Sequence, residues 1–134
     1  MQRVQVVAGA PGEIDLQVGA GATGGNELAI RKDAFDHRFA ADVAAEQAAV
    51  MAATQRPVTE EALSTGLTTD KPAWKTTPSW FVFSDQDMNI PVALHRFMAQ
   101  RAGARGVREI AGASHALSVS ESAAVAETIL EAAK

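Results

Sequence analysis

The chain of 134 residues has no cysteine. That excludes a disulfide framework and a thiolate metal site. Its histidines and carboxylates show no metal-ligand spacing either, and no cofactor is expected. No apolar run approaches the roughly 18 residues that cross a bilayer, so no membrane partner is expected. The first residues carry an arginine but no long apolar stretch of a secretory signal. The expected compartment is the cytoplasm. Aromatic residues are scarce at 5%, and alanine carries much of the 47% hydrophobic content, which still suffices for a core. A net charge of -4 argues against a nucleic-acid partner.

What is present concentrates between Ser79 and His115. Trp80-Phe81-Val82-Phe83 is an apolar run without polar alternation, which suits a strand buried on both faces. A polar turn, Ser84 to Pro91, opens a helix that ends at Ala102-Gly103, with glycine as a left-handed cap. Asn89 is placed to cap that helix, Pro91 near its first position. Leu94, Phe97 and Met98 form its apolar face, and His95 falls on the opposite, solvated side. A second strand, Val107 to Ile110, leads into Ala111-Gly112-Ala113-Ser114-His115. Strand, helix, strand makes a right-handed parallel crossover. Each strand delivers one catalytic-looking group past its carboxyl end, Asp87 and His115, where open α/β sheets bind ligands. Asp85 competes with Asp87, and each carboxylate alone could simply serve its turn.

The remainder is helical and polar. Arg3 to Ala8 is a candidate strand broken by Ala10-Pro11-Gly12, and Ile14 to Val18 alternates like a half-buried strand. Gly19 to Gly25 is a glycine-rich loop. It spells Gly-x-Gly-x-x-Gly at Gly19, Gly21 and Gly24, but Gly25-Asn26 follow where a nucleotide-binding helix would start, so a linker is favoured over a nucleotide site. Helices are expected over Asp33–Ala40 and Val43–Gln55, the second capped by Asp42 and stopped by Pro57. His37 is expected on their surface. Thr59 caps a short helical turn to Leu63. Ser120 caps the last helix, which buries Val125, Ile129 and Leu130.

The stretch Trp80-Phe-Val-Phe-Ser-Asp-Gln-Asp87-Met-Asn-Ile-Pro91 resembles the acid turn of the α/β-hydrolase fold, in which Pro follows Asp by four positions. Gly112-Ala-Ser-His115 is similar to that family's histidine turn. Pro72 to Trp80 and Phe39-Ala-Ala-Asp-Val43 resemble a bacterial branch of it, and the likeness covers roughly 27–134. The resemblance implies an α/β fold and the C-terminal part of such an enzyme. Residues 1–26 are then a glycine-rich lead-in, 27–71 a helical cap, and 72–134 the last two parallel strands with their helices. It implies esterase-like hydrolysis by a Ser-Asp-His triad, with Asp87 and His115 as acid and base, Asp87 favoured over Asp85 by the Asp-to-Pro register. Ser84 stands where the family often has Gly. The family's Gly-x-Ser-x-Gly nucleophile is nowhere in the sequence, and Ser84, Ser114, Ser118 and Ser120 do not sit in such an elbow. The chain alone is therefore expected to be inactive, and to act on a small ester-like substrate if an N-terminal half completes it. The alternative is a small non-enzymatic domain that pairs with a partner, or with itself, through an exposed strand edge.

Overall fold

The computed structural model describes residues 16–20 and 24–134. The strand expected over Arg3–Ala8, the break at Ala10-Pro11-Gly12, Ile14 and Gly21 lie outside them. Five strands and six helices follow in order: β1 (Leu16–Ala20), β2 (Asn26–Ile30), α1 (Phe35–Phe39), α2 (Ala45–Thr54), β3 (Val58–Thr59), α3 (Glu60–Ser64), β4 (Trp80–Ser84), α4 (Val92–Ala102), β5 (Gly106–Ile110), α5 (Leu117–Ser120) and α6 (Ser122–Ala132).

The expected crossover is β4-α4-β5. β4 and β5 pair in parallel, Trp80 opposite Gly106 through Ser84 opposite Ile110. Glycine is required at that first pair, because a Cβ on Gly106 would stand 2.3 Å from Cδ1 of the Trp80 indole. Gly103 closes α4 at φ 60°, a left-handed conformation that costs glycine little. The α4 face agrees with the expected one only in part, Leu94 and Met98 being half-buried. Ala99 is buried, with Val92, His95 and Ala102 half-buried along the same stripe, whereas Phe97 is 50% exposed. Small side chains let the helix lie close to β4, and that rotates His95 inward. Asn89 does not cap α4. Pro91 holds the N-cap position without a side-chain bond, and the Asn89 amide donates instead to the Arg38 carbonyl.

The glycine-rich stretch joins two strands. β1 and β2 are antiparallel, Leu16 opposite Ile30, and β3 adds to the far edge of β2 at Glu27 and Leu28. A strand rather than a helix follows the glycines, which removes the geometry a dinucleotide fingerprint needs. β2 was not expected. Glu27-Leu28-Ala29 has ordinary helix propensity, and only pairing with β1 makes it extended. Gln55 finishes that sheet: its side chain accepts from the Ile30 amide and donates to the Ile30 carbonyl at 3.0 and 2.8 Å, standing in for a missing strand partner.

The helices begin later than expected. Asp33 is engaged by Arg31, so α1 starts at Phe35. Asp42 leaves α2 uncapped, the helix starting behind Ala44. Desolvation disfavours the charge on Asp42, but its polar neighbours Ser114 and Ser120 outweigh it and hold its carboxyl below the usual value. Thr59 does cap α3, its hydroxyl accepting from the Ala62 amide. Ser120 ends α5 instead of capping α6. On α6 the inward stripe is Ala124, Val125 and Thr128, and Ile129 and Leu130 are exposed. The principal core is Phe35, Ala40, Ala48, Ala52 and Ala116, flanked by Ile30, Phe39, Val43 and Met51. Ala116 thus ties the segment after His115 to α1 and α2.

Candidate active site

The two turns at the carboxyl ends of β4 and β5 lie side by side because the strands are parallel and adjacent. Local chemistry then shapes the acid turn. Asp87 Oδ1 accepts from the amides of Asn89 and Ile90 at 2.8 and 2.9 Å. This side-chain turn is a common use of aspartate. It leaves Oδ2 facing β5.

The histidine turn is pinned to the first turn at several points. Gly112 sits at φ 79°, where glycine is favoured, and its amide donates to Asp85 Oδ1 at 2.7 Å. Buried Ser84 donates to the Ser114 carbonyl at 2.8 Å. Ser114 in turn donates to the Phe39 carbonyl, which also accepts from the Ala116 amide. With Asn89 bound to the Arg38 carbonyl, the end of α1 receives both turns. The Phe39 ring completes the clamp against His115, centroids 4.7 Å apart.

In this frame His115 Nδ1 lies 2.7 Å from Asp87 Oδ2. Asp87 is the acid that meets the imidazole. Asp85 holds the histidine turn through its backbone instead. A third group also arrives: His95 Nε2 stands 3.0 Å from the same Oδ2. The side chain of Asp87 is 2% exposed, His95 14% and His115 27%. Burial works hardest on Asp87 and against its charge. Hydrogen bonds from His115, the Ile90 amide, His95 and the Asn89 amide together prevail, and hold the carboxyl well below the usual carboxylate range. His37 is exposed on α1, as expected.

His95 is the residue that sequence reading misplaced. Periodicity favours Leu94, Phe97 and Met98 as the inner face and places His95 outward; Leu94 and Met98 are half-buried, but Phe97 is exposed and His95 turns inward. The available signal was the alternative stripe of Val92, His95, Ala99 and Ala102, spaced by three and four.

An ionised carboxylate only accepts, so each imidazole nitrogen facing it carries a proton. His115 is then an Nδ1–H tautomer, with Nε2 as its basic nitrogen and a partly exposed edge from which to act. Two histidines and one aspartate are also a metal-binding composition. Here both imidazoles spend a nitrogen on the carboxylate, and no group of three or more potential ligands is suitably placed among the described residues. The hydroxyls of Ser84 and Ser114 are buried and bonded to backbone carbonyls. A cavity of about 450 Å³ borders Phe39 and is lined by Leu28, Ile30, Phe35, Met51 and Leu63 among others.

The depressed Asp87 carboxyl carries a stability signature. Its folded-state value lies below the unfolded one, so its contribution is complete above the unfolded value, about pH 4, and is lost as pH falls from there. Urea midpoints taken down an acid series should fall more steeply for the native chain than for Asp87→Asn, the two converging in strong acid. Parallel curves would contradict it.

The sequence profile of the alpha/beta hydrolase family matches residues 4–128, beginning well ahead of Glu27. Among solved structures, polyneuridine aldehyde esterase is similar with a TM-score of 0.72 at 16% identity, over 89% of this chain and 48% of that one. A histidine-to-alanine variant of that esterase gives 0.69 at 15% identity, with the same coverage of 89% and 48%. The chain thus spans about half the length of these structures, which at such identities speak for the fold. No curated protein matches.

Proposed function

This chain belongs to the alpha/beta hydrolase family, and on that premise we propose that it supplies the acid and the histidine of an esterase-like Ser-Asp-His hydrolase. Residues 72–134 carry the pair, and 27–71, expected as a purely helical cap, instead combine α1, α2 and α3 with β2 and β3, β1 of the lead-in pairing onto β2 across the expected boundary. The observation that carries the reading is the bond of 2.7 Å from His115 Nδ1 to Asp87 Oδ2, made between turns that follow adjacent parallel strands. Asp87 fixes the tautomer and stabilises the imidazolium. His115 Nε2 takes the proton of a serine as it attacks the ester carbonyl, then returns it to the leaving alcohol. The serine and the oxyanion amides come from sheet segments that these residues lack, since no Gly-x-Ser-x-Gly occurs in the sequence. The substrate class is a small ester whose apolar part fits the cavity bordering Phe39. Among the described residues no helix is long and apolar enough to cross a membrane, and the cytoplasm is the compartment that suits the cysteine-free composition.

The test is complementation. Alone, the chain should hydrolyse p-nitrophenyl acetate no faster than buffer. Mixed with a nucleophile-bearing N-terminal half of the fold, it should turn the ester over, and His115→Ala should abolish that turnover. A complex that forms yet gives no turnover would sink the proposal.

A second reading, a non-enzymatic domain that pairs through a strand edge, is favoured by exposed apolar side chains beside the parallel pair. Phe97, Val107, Ile129 and Leu130 are all exposed, and β4 pairs only with β5 among the described residues. We take the natural cover of the free β4 edge and of the apolar side chains near it to be the nucleophile-bearing half of the sheet. Without it the chain should self-associate. Light scattering should show mass rising with concentration and falling to the monomer when Phe97 and Ile129 are both changed to Lys. A monomer at every concentration would contradict this.

A further inference from the structure

Asp87 Oδ2 serves two histidines on opposite sides of the acid turn. His115 comes from the turn after β5 and His95 from the first turns of α4, at 2.7 and 3.0 Å. Oδ1 is already taken by the amides of Asn89 and Ile90. An acceptor-only carboxylate requires a proton on each facing nitrogen. His115 is therefore Nδ1–H and His95 is Nε2–H, opposite tautomers on one oxygen.

The plane of the His95 ring is set without reference to His115. The ring lies flat on Phe83, centroids 5.1 Å apart and planes 6° apart. Phe83 is itself buried in β4, so the sheet sets the plane of the imidazole and the helix sets its direction. Nε2 is thereby aimed at a point defined without reference to His115. The amides on Oδ1 act as a pivot, and the terminal torsion of an aspartate is broad. Were His115 the sole donor to Oδ2, rotation of the carboxylate about its two amide bonds would be checked by His115 alone.

We infer that His95 is a positioning residue: by donating to Asp87 Oδ2 it fixes the carboxylate independently of His115 and so confines His115 to the Nδ1–H tautomer. The alternative is a half-buried histidine that merely satisfies its own polarity. That role would leave the tautomer of His115 unmoved. The inference rests on the acid–histidine reading only for what the tautomer serves. Spectra report the hydrogen bonds and turnover reports the reaction, so one can fail without the other.

The experiment is long-range ¹H–¹⁵N correlation of the imidazoles of the full chain, at a pH where both rings are neutral. The native chain should show His95 protonated on Nε2 and His115 on Nδ1. A native His95 protonated on Nδ1 instead would overturn the inference. His95→Phe keeps the stack on Phe83 but removes the donor, and His115 should become a mixture of tautomers. His95→Gln presents an amide nitrogen near the place of Nε2 and should restore the single Nδ1–H form. A folded His95→Phe with His115 still wholly Nδ1–H, or a His95→Gln that stays mixed, would each defeat it. If His95→Phe fails to fold, His95→Leu, which also lacks the donor, takes its place, and a His115 still wholly Nδ1–H there would defeat the inference.

Discussion

If the proposed acid–histidine pair serves a complemented hydrolase, Asp87→Asn should lower kcat by about four orders of magnitude while KM stays nearly constant. The cause is a change of tautomer. The amides of Asn89 and Ile90 need an acceptor, so the one oxygen of asparagine remains with them. Its NH₂ then faces His115, donor against donor. His115 must turn its unprotonated nitrogen, Nδ1, toward the asparagine and carry its proton on Nε2. The nitrogen that should accept the serine proton is no longer a base. Asp85→Asn, by contrast, keeps an acceptor for the Gly112 amide and should cost little. Steady-state kinetics of the complemented enzyme distinguish the two. An Asp87→Asn loss smaller than tenfold, or an equal loss in Asp85→Asn, would remove Asp87 from the role of the acid.

Asp87→Ala should destabilise the fold by about 3–5 kcal/mol, the usual cost of removing one partner from a buried charged cluster. Four donors meet this carboxylate: two amides and two imidazoles. Alanine leaves all four to find water in a site where the aspartate side chain is 2% exposed. Against a total stability of about 5–15 kcal/mol for a domain of ordinary size, that loss is large. It should exceed the effect of Asp87→Asn, which keeps an acceptor for the two amides. Urea unfolding of the three proteins gives the order directly. Equal midpoints for Asp87→Ala and the native chain would mean that the turn is held by its backbone alone. Removing the exposed Arg96–Glu109 pair serves as a control and should change little.

The parts of this molecule legible in the sequence are those governed by neighbours along the chain. The apolar run at Trp80, the glycine at Gly103, the cap at Thr59 and the polar turn around Asp87 depend on side chains a few positions apart, and each lies where local rules put it. The family likeness sits in those same short segments, which is why the parallel crossover could be read from them. The absence of a nucleophile motif is likewise a property of the sequence alone. Contacts between distant residues decided the rest. β2 is extended because β1 and β3 pair with it, although its own residues would as readily form a helix. Asp42, Asn89 and Ser120 have the chemistry of helix caps. Asp42 instead stays exposed beside Ser114, Asn89 reaches the Arg38 carbonyl, and Ser120 closes α5. His95 faces inward because small residues on α4 bring that helix close to β4 and because Asp87 offers an acceptor there. Periodicity locates the stripes of a helix, but which stripe turns inward depends on the shape and polarity of a surface formed elsewhere in the chain.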